Sequence, residues 1–312
     1  MLRRLSVVLI ALCLTACGVE PEPTQTIEEQ AAEAKTLFWE VFNAGAYERI
    51  PEAQTKLLAV YEQDQTLGEN AMLLGVSYYW YAAEWRRDLS RPNSGQYEAI
   101  LNTDKYLTVA LELRPNDARI MCWLGGAKTF RSQVERKPAL MDEGLALIDK
   151  CATLYPSFGL ILKGFVSSFL PVQSDLYQEG ISAMWRNVDV CIDKEIDRTN
   201  PDFTSYMHLT NNLSGQYLAC WNGPTAPHNL EGFWFFMGDV LTKAGHKEQA
   251  KAIYNNALLV PDVQKWVFYD KLTARIATVD QRAELYSDSD MKNDPPMVTQ
   301  DTFQCVLCHQ KQ

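Results

Sequence analysis

The chain has little of what most enzymes use. It carries only 4 histidines in 312 residues. No Ser-His-Asp constellation, glycine-rich phosphate loop or H-E-x-x-H pair is present. Nucleophilic hydrolysis, phosphoryl transfer and zinc proteolysis therefore have no local signature. Positive charge is in deficit: 29 Lys and Arg face 39 Asp and Glu, a formal charge of −10. That balance argues against nucleic acid or anionic lipid as the main partner, since both need a basic face. Strand signals are also scarce. No alternating apolar run is bounded by hairpin-turn residues, so a sandwich or barrel is not expected. After Ala16 no apolar stretch approaches the roughly 20 residues that a membrane helix needs.

What is present begins with Met1-Leu2-Arg3-Arg4, followed by an apolar run from Leu5 to Ala16 broken only by Ser6 and Thr15. A positive head and a short apolar core read as a secretory signal peptide over residues 1–16. The run ends Leu14-Thr15-Ala16-Cys17, which resembles the lipobox of bacterial lipoproteins. The resemblance implies cleavage before Cys17 and lipid (palmitate) modification of that cysteine. Gly18 after it implies an outer-membrane anchor on the periplasmic face. Residues 17–27, with Pro21 and Pro23, read as a flexible tether behind the lipid.

Residues 28–280 read as an all-α domain of tetratricopeptide-like helical repeats, and self-similarity is clearest over 231–264. There Trp234, Met237, Gly238, Gly245, Ala250, Tyr254 and Ala257 fall at the family's spacings, and Pro261 stops the second helix. Small Gly238 and Ala250 let two antiparallel helices approach, and Trp234 and Tyr254 fill the space around them. Looser units follow the same logic. Leu74, Gly75 and Tyr78 pair with Leu107, Ala110 and Pro115 across an insertion near 87–97. Leu124 and Gly125 pair with Ile148, Cys151 and Pro156 across a loop near 131–138. Such repeats stack into a superhelix whose first helices line a groove for a peptide, partner protein or small ligand. By position that groove would show Met72, Val76, Tyr79, Arg119, Cys122, Gly126, Thr129, Phe235, Asp239 and Thr242.

The stretch Pro227 to Phe233, with Met237-Gly238-Asp239 and Lys243-Ala244-Gly245, resembles a group of proteobacterial tetratricopeptide proteins. With the lipobox, the chain loosely resembles the TatT-like lipoproteins associated with TRAP transporters. That resemblance implies a periplasmic helical-repeat scaffold or accessory to small-molecule uptake. It does not include the C-terminal motif.

That motif is Cys305-Val306-Leu307-Cys308-His309, the C-x-x-C-H pattern of c-type haem attachment. Two thiols can bond to the haem vinyl groups, and the adjacent His309 can ligate the iron. Residues 281–312 read as a linker, with Pro295-Pro296 at its centre, and a non-globular tail. Only three residues follow His309, so the apolar walls a haem needs must come from the repeats or from a partner. Met291, Met297, His208, His228 and His246 are the candidates for a sixth ligand, with His228 and Met297 foremost. The expected role is electron transfer or redox sensing with a periplasmic or membrane protein, rather than enzyme catalysis. Peroxidase or oxidase chemistry would need an open iron site. The alternative is a haem-free scaffold in which the C-x-x-C forms a disulfide or a metal site.

Cys122, Cys151, Cys191 and Cys220 are even in number, and an exported chain keeps its disulfides. Equal spacing suggests Cys122 with Cys151 and Cys191 with Cys220, although four cysteines allow three pairings.

Overall fold

A computed structural model describes residues 25–87, 93–209, 220–221, 228–288, 292–298 and 304–309. Residues 1–16 and Cys17 therefore lie outside the described residues. Among those described, all regular structure is helical. The helices are α1 (Ile27–Ala44), α2 (Ile50–Gln63), α3 (Gly68–Ala83), α4 (Asn93–Leu113), α5 (Ala118–Glu135), α6 (Pro138–Leu154), α7 (Pro156–Ser167), α8 (Asp175–Ile192), α9 (Leu230–Lys243), α10 (Lys247–Asn256), α11 (Tyr269–Ala277), α12 (Val279–Ser287) and α13 (Gln304–Cys308). None is long and apolar enough to cross a membrane.

Local chemistry sets the helix ends. Thr26 and Glu29 form a capping box at the start of α1, each side chain accepting the other's backbone N–H. Asp117 and Ser174 cap α5 and α8 by accepting the N–H groups of Arg119 and Tyr177. Prolines open α2, α6 and α7, where a helix leaves its first N–H groups unbonded in any case. The loop near 131–138 is shorter than its residues suggested. Arg131 pairs with Glu135 one turn on, so α5 runs to Glu135 and Arg136 ends it in a left-handed conformation. The insertion near 87–97 is likewise partly helical, because α4 starts at Asn93. Gln96 there donates to the carbonyl of Ala82, which ties the new helix to the end of the previous one.

Helices pack chiefly against their sequence neighbours. α1–α2, α3–α4, α5–α6, α7–α8 and α9–α10 are the closest pairs, and α1, α3, α5 and α7 also touch in series. Backbone contact explains the tightest pair. A Cβ on Gly125 or Gly144 would stand 2.7 Å from the other's carbonyl oxygen, so α5 and α6 meet with no side chain between them. In α9–α10 a Cβ on Gly238 would stand 2.5 Å from the Tyr254 ring, the close approach expected of that repeat.

Two large apolar clusters fill the molecule, one over α1–α5 and one over α5–α12. α9 is the axis of the second: every residue from Leu230 to Thr242 is buried. A helix apolar on all sides must be covered on all sides. α8, α10, α12 and α13 supply the cover.

The cysteines pair as their equal spacing suggested. Cys122 meets Cys151 with a Cα separation of 5.5 Å, and Cys191 meets Cys220 at 5.8 Å. Both distances lie in the range a disulfide requires. The first staples α5 to α6. The second ties the end of α8 to the segment before α9.

Candidate functional site

A five-residue helix such as α13 is not stable in water, since its nucleus costs more than one turn returns. Here the body of the protein caps it at both ends. At the N-terminal end, the Val306 N–H donates to Glu84 Oε1 at 2.9 Å. At the other end, Asn229 Nδ2 donates to the Leu307 carbonyl at 3.1 Å, and the Asn229 N–H donates to the Cys308 carbonyl at 2.7 Å. Asn229 Oδ1 meanwhile accepts the Gly232 N–H and caps α9. Gly232 makes room for the contact: a Cβ there would lie 2.6 Å from the Leu307 oxygen and 2.9 Å from Cys308 Sγ.

The segment before the motif is fastened as well. Asp239, fully buried on α9, accepts the Val298 N–H at 2.8 Å and the Tyr254 hydroxyl at 2.6 Å. Arg275 and Arg282 flank the same carboxylate at 3.2 and 3.3 Å. Both also donate to the Pro296 carbonyl. Tyr286 donates to the carbonyl of Pro295 at 2.6 Å. The expected non-globular tail is thus fastened to the body at two places, 295–298 and 306–309, while 292–294 are exposed. Met297, Val298, Val306, Leu307 and His309 are all buried. The reason is satisfaction of backbone groups: a covered tail needs partners for its N–H and C=O groups, and Glu84, Asn229 and Asp239 provide them. The helical body also continues past residue 280, through α12 to Ser287.

This packing seats Cys308 and His309 at a narrow cleft with about 80 Å3 of free space. Its walls come from α5, α7 and α9: Trp123, Phe158, Ile161, Leu162, Phe165 and Phe236. His309 is 5% exposed, with its ring centre 4.5 Å from that of Phe42 and 4.6 Å from that of His228. Burial drives the His309 imidazole well below its ordinary pKa, and the neighbouring His228 adds to the shift. His309 is therefore held neutral, the form that ligates a metal. Burial likewise pushes the Cys308 thiol up, helped by the Glu231 carboxylate, so the thiol is protonated at neutral pH.

The residues fit a haem in three respects. The walls are apolar and aromatic. A neutral histidine opens onto them. Its Nδ1 is buried without a hydrogen-bond partner among the described residues, so no contact there draws the ring away from the cleft. Two dimensions need adjustment. The free space of about 80 Å3 is well below the roughly 300–1,000 Å3 of ligand pockets, so the walls must part to admit the group. A metal bonded to two imidazoles at about 2.0 Å each holds the ring centres about 6 Å apart. The His228 and His309 rings, at 4.6 Å, must part by about 1.5 Å to admit one. A metal bound by side chains alone has less support: among the described residues no group of three or more His, Cys, Asp or Glu is arranged to hold an ion.

The other candidates lie elsewhere. His208 and His246 are exposed. Met297 is fully buried in the second core cluster and does not line the cleft. Met291 and the side chain of Cys305 lie outside the described residues. The expected groove surface is largely covered. Cys122 is spent in its disulfide, and Phe235, Asp239 and Thr242 are buried. Tyr79, Gly126 and Thr129 do line a hollow, beside Gln96, Phe130 and Gln133, and Tyr79 and Phe165 border both this hollow and the cleft. Glu84 and the wall residues carried no signal in the sequence, because their partners are far away along the chain. No family model matches the chain, nor does any curated protein or solved structure.

Proposed function

We propose that this chain is a periplasm-facing outer-membrane lipoprotein, anchored through lipid on Cys17, that carries a c-type haem and serves in electron transfer or redox sensing. Its body is a tetratricopeptide-like binding domain, in keeping with the serial helical hairpins. Cys305 and Cys308 would hold the haem covalently, and His309 would ligate the iron. The group supplies one-electron chemistry, which no side chain of this protein offers as readily. The chain supplies the rest. α13 presents the motif on a helix, Glu84 and Asn229 hold that helix to the body, and the aromatic walls would shield the group from water.

One observation carries the reading: the C-x-x-C-H segment docks so that its histidine is buried and lines an aromatic cleft. A motif without a role would have no reason to be capped at both ends by buried side chains. A periplasmic or membrane protein would exchange the electron, with the hollow beside Tyr79 as a surface for a partner or small ligand.

The test is production of the exported protein together with a cytochrome maturation system. Haem that stays with the polypeptide through denaturing electrophoresis is the expected result. A haem-free band from cells that load a control cytochrome sinks the proposal.

A further inference from the structure

We infer that His228 is the second axial ligand of the iron, which makes the site a closed bis-imidazole centre. The inference rests on the haem reading above. It begins from position: of the described histidines, only His228 and His309 line the cleft. Their rings face each other with centres 4.6 Å apart and planes inclined at 48°.

The contact is not an accident of a loose loop. His228 directly precedes Asn229, whose N–H and side chain bind the Cys308 and Leu307 carbonyls. The hydrogen bond from Asn229 to Cys308 thus joins the two residues adjacent to the histidines in sequence. Docking of α13 and pairing of the two rings are a single geometric event. To admit an iron the rings must part by about 1.5 Å, and His228 lies just before α9, outside regular helix. His309 is held by the end of α13. Met297, the rival by sequence, is buried in the core and does not line the cleft, and the Val298 N–H beside it is tied to Asp239.

Two consequences follow. With both axial positions filled by protein, no open coordination site remains for peroxide or dioxygen, so the centre carries electrons and does no oxygen chemistry. A bis-imidazole iron also has a lower potential than a His/Met one, because a thioether ligand raises it.

The experiment uses full-length exported protein made with the maturation system, as wild type, His228→Ala, His228→Met and Met297→Leu. Denaturing electrophoresis first scores covalent haem. Loss of haem from the wild type overturns the haem reading and this inference with it. Where haem is attached, optical and electron-paramagnetic spectra read the ligands. The expected wild type is low-spin and six-coordinate, without a sulfur-to-iron charge-transfer band. Met297→Leu keeps that spectrum. His228→Ala turns high-spin and gains binding of carbon monoxide, and added imidazole restores the low-spin form. Should His228→Ala fail to fold by circular dichroism, His228→Met decides by gaining the sulfur band. A high-spin wild type, a sulfur band in the wild type, or a low-spin His228→Ala spectrum without added ligand overturns the assignment.

Discussion

Glu84 and Val306 are 222 residues apart in sequence, yet Glu84 Oε1 accepts the Val306 N–H at 2.9 Å in the protein interior. Glu84 ends α3 and begins the short 3-10 turn that follows, so it links the N-terminal half of the molecule to the last described helix. The hydrogen bond has a charged acceptor, which makes it one of the stronger kinds.

Glu84→Ala removes this acceptor and leaves the Val306 N–H without it. The expected cost to docking is about 1–3 kcal/mol, the desolvation penalty of an unpaired buried donor. Hydrogen exchange followed by mass spectrometry checks it. Peptides over 304–309 should take up deuterium faster while peptides over α5–α8 stay as in the wild type. Uniformly faster exchange would mean that Glu84 supports the whole fold rather than the tail.

Asp239 gives a second, separable prediction. Its carboxylate lies between Arg275 and Arg282 and also accepts the Val298 N–H. Asp239→Asn keeps the shape and an acceptor oxygen but leaves two cations without their countercharge. Breaking a buried pair in this way costs about 3–5 kcal/mol. Urea denaturation should show a loss of that size, together with faster proteolysis between residues 288 and 304. Intact proteolytic resistance would show that the tail is held without Asp239.

The disulfides set a third expectation. Each closes a sequence separation of 29 residues. Restricting a loop of that length in the unfolded chain is worth about 3–4 kcal/mol. The double variant Cys191→Ser, Cys220→Ser should lose that much in urea denaturation under non-reducing conditions. Because Cys220 anchors the segment leading to His228, the same variant should also weaken the ring pairing in the cleft. Reducing agent should bring the wild type to the same stability if the Cys191–Cys220 bridge alone opens, and below it if both bridges open.

A fourth concerns pH. Arg131 holds the Glu135 carboxyl down at about 2 through its hydrogen bond, and Lys137 and the Tyr97 hydroxyl act in the same direction. The folded value lies below the ordinary 4.5, so this group stabilises the fold fully above pH 4.5. The contribution falls away as pH drops from there through about 2, where the folded state also takes the proton. Glu135→Gln should melt below the wild type at pH 6, and the gap should narrow at pH 4 and again at pH 3. A gap that stays constant over that range would rule out Glu135 ionisation as its source.

The helices were legible because their signals are local. Gly245 closes α9 as its place in the turn suggested, and Leu74-Gly75 and Leu124-Gly125 sit where paired helices need small residues, whereas Pro138 and Pro156, read as loop and stop, open helices. The reading of residues 87–97 and 131–138 as loops went too far. Turn-forming residues there were overruled by pairs such as Arg131 with Glu135, which extend a helix through residues that alone would not hold one. The groove was overestimated for another reason. The expected repeat spacing would put Phe235, Asp239 and Thr242 on an open inner face, whereas all three are buried.

Sequence alone determined the helical class, the equal spacing of the two cysteine pairs and the place of the five-residue motif. These rest on periods of three to four residues and on covalent order, both written along the chain. Tertiary structure decided which residues surround the motif. Phe42, Glu84, Trp123, Phe158 and His228 come from five different places in the chain and meet at α13 only after the hairpins pack. Their meeting is governed by burial of apolar surface and by the need to satisfy the backbone of a short helix, and neither leaves a periodic mark in sequence.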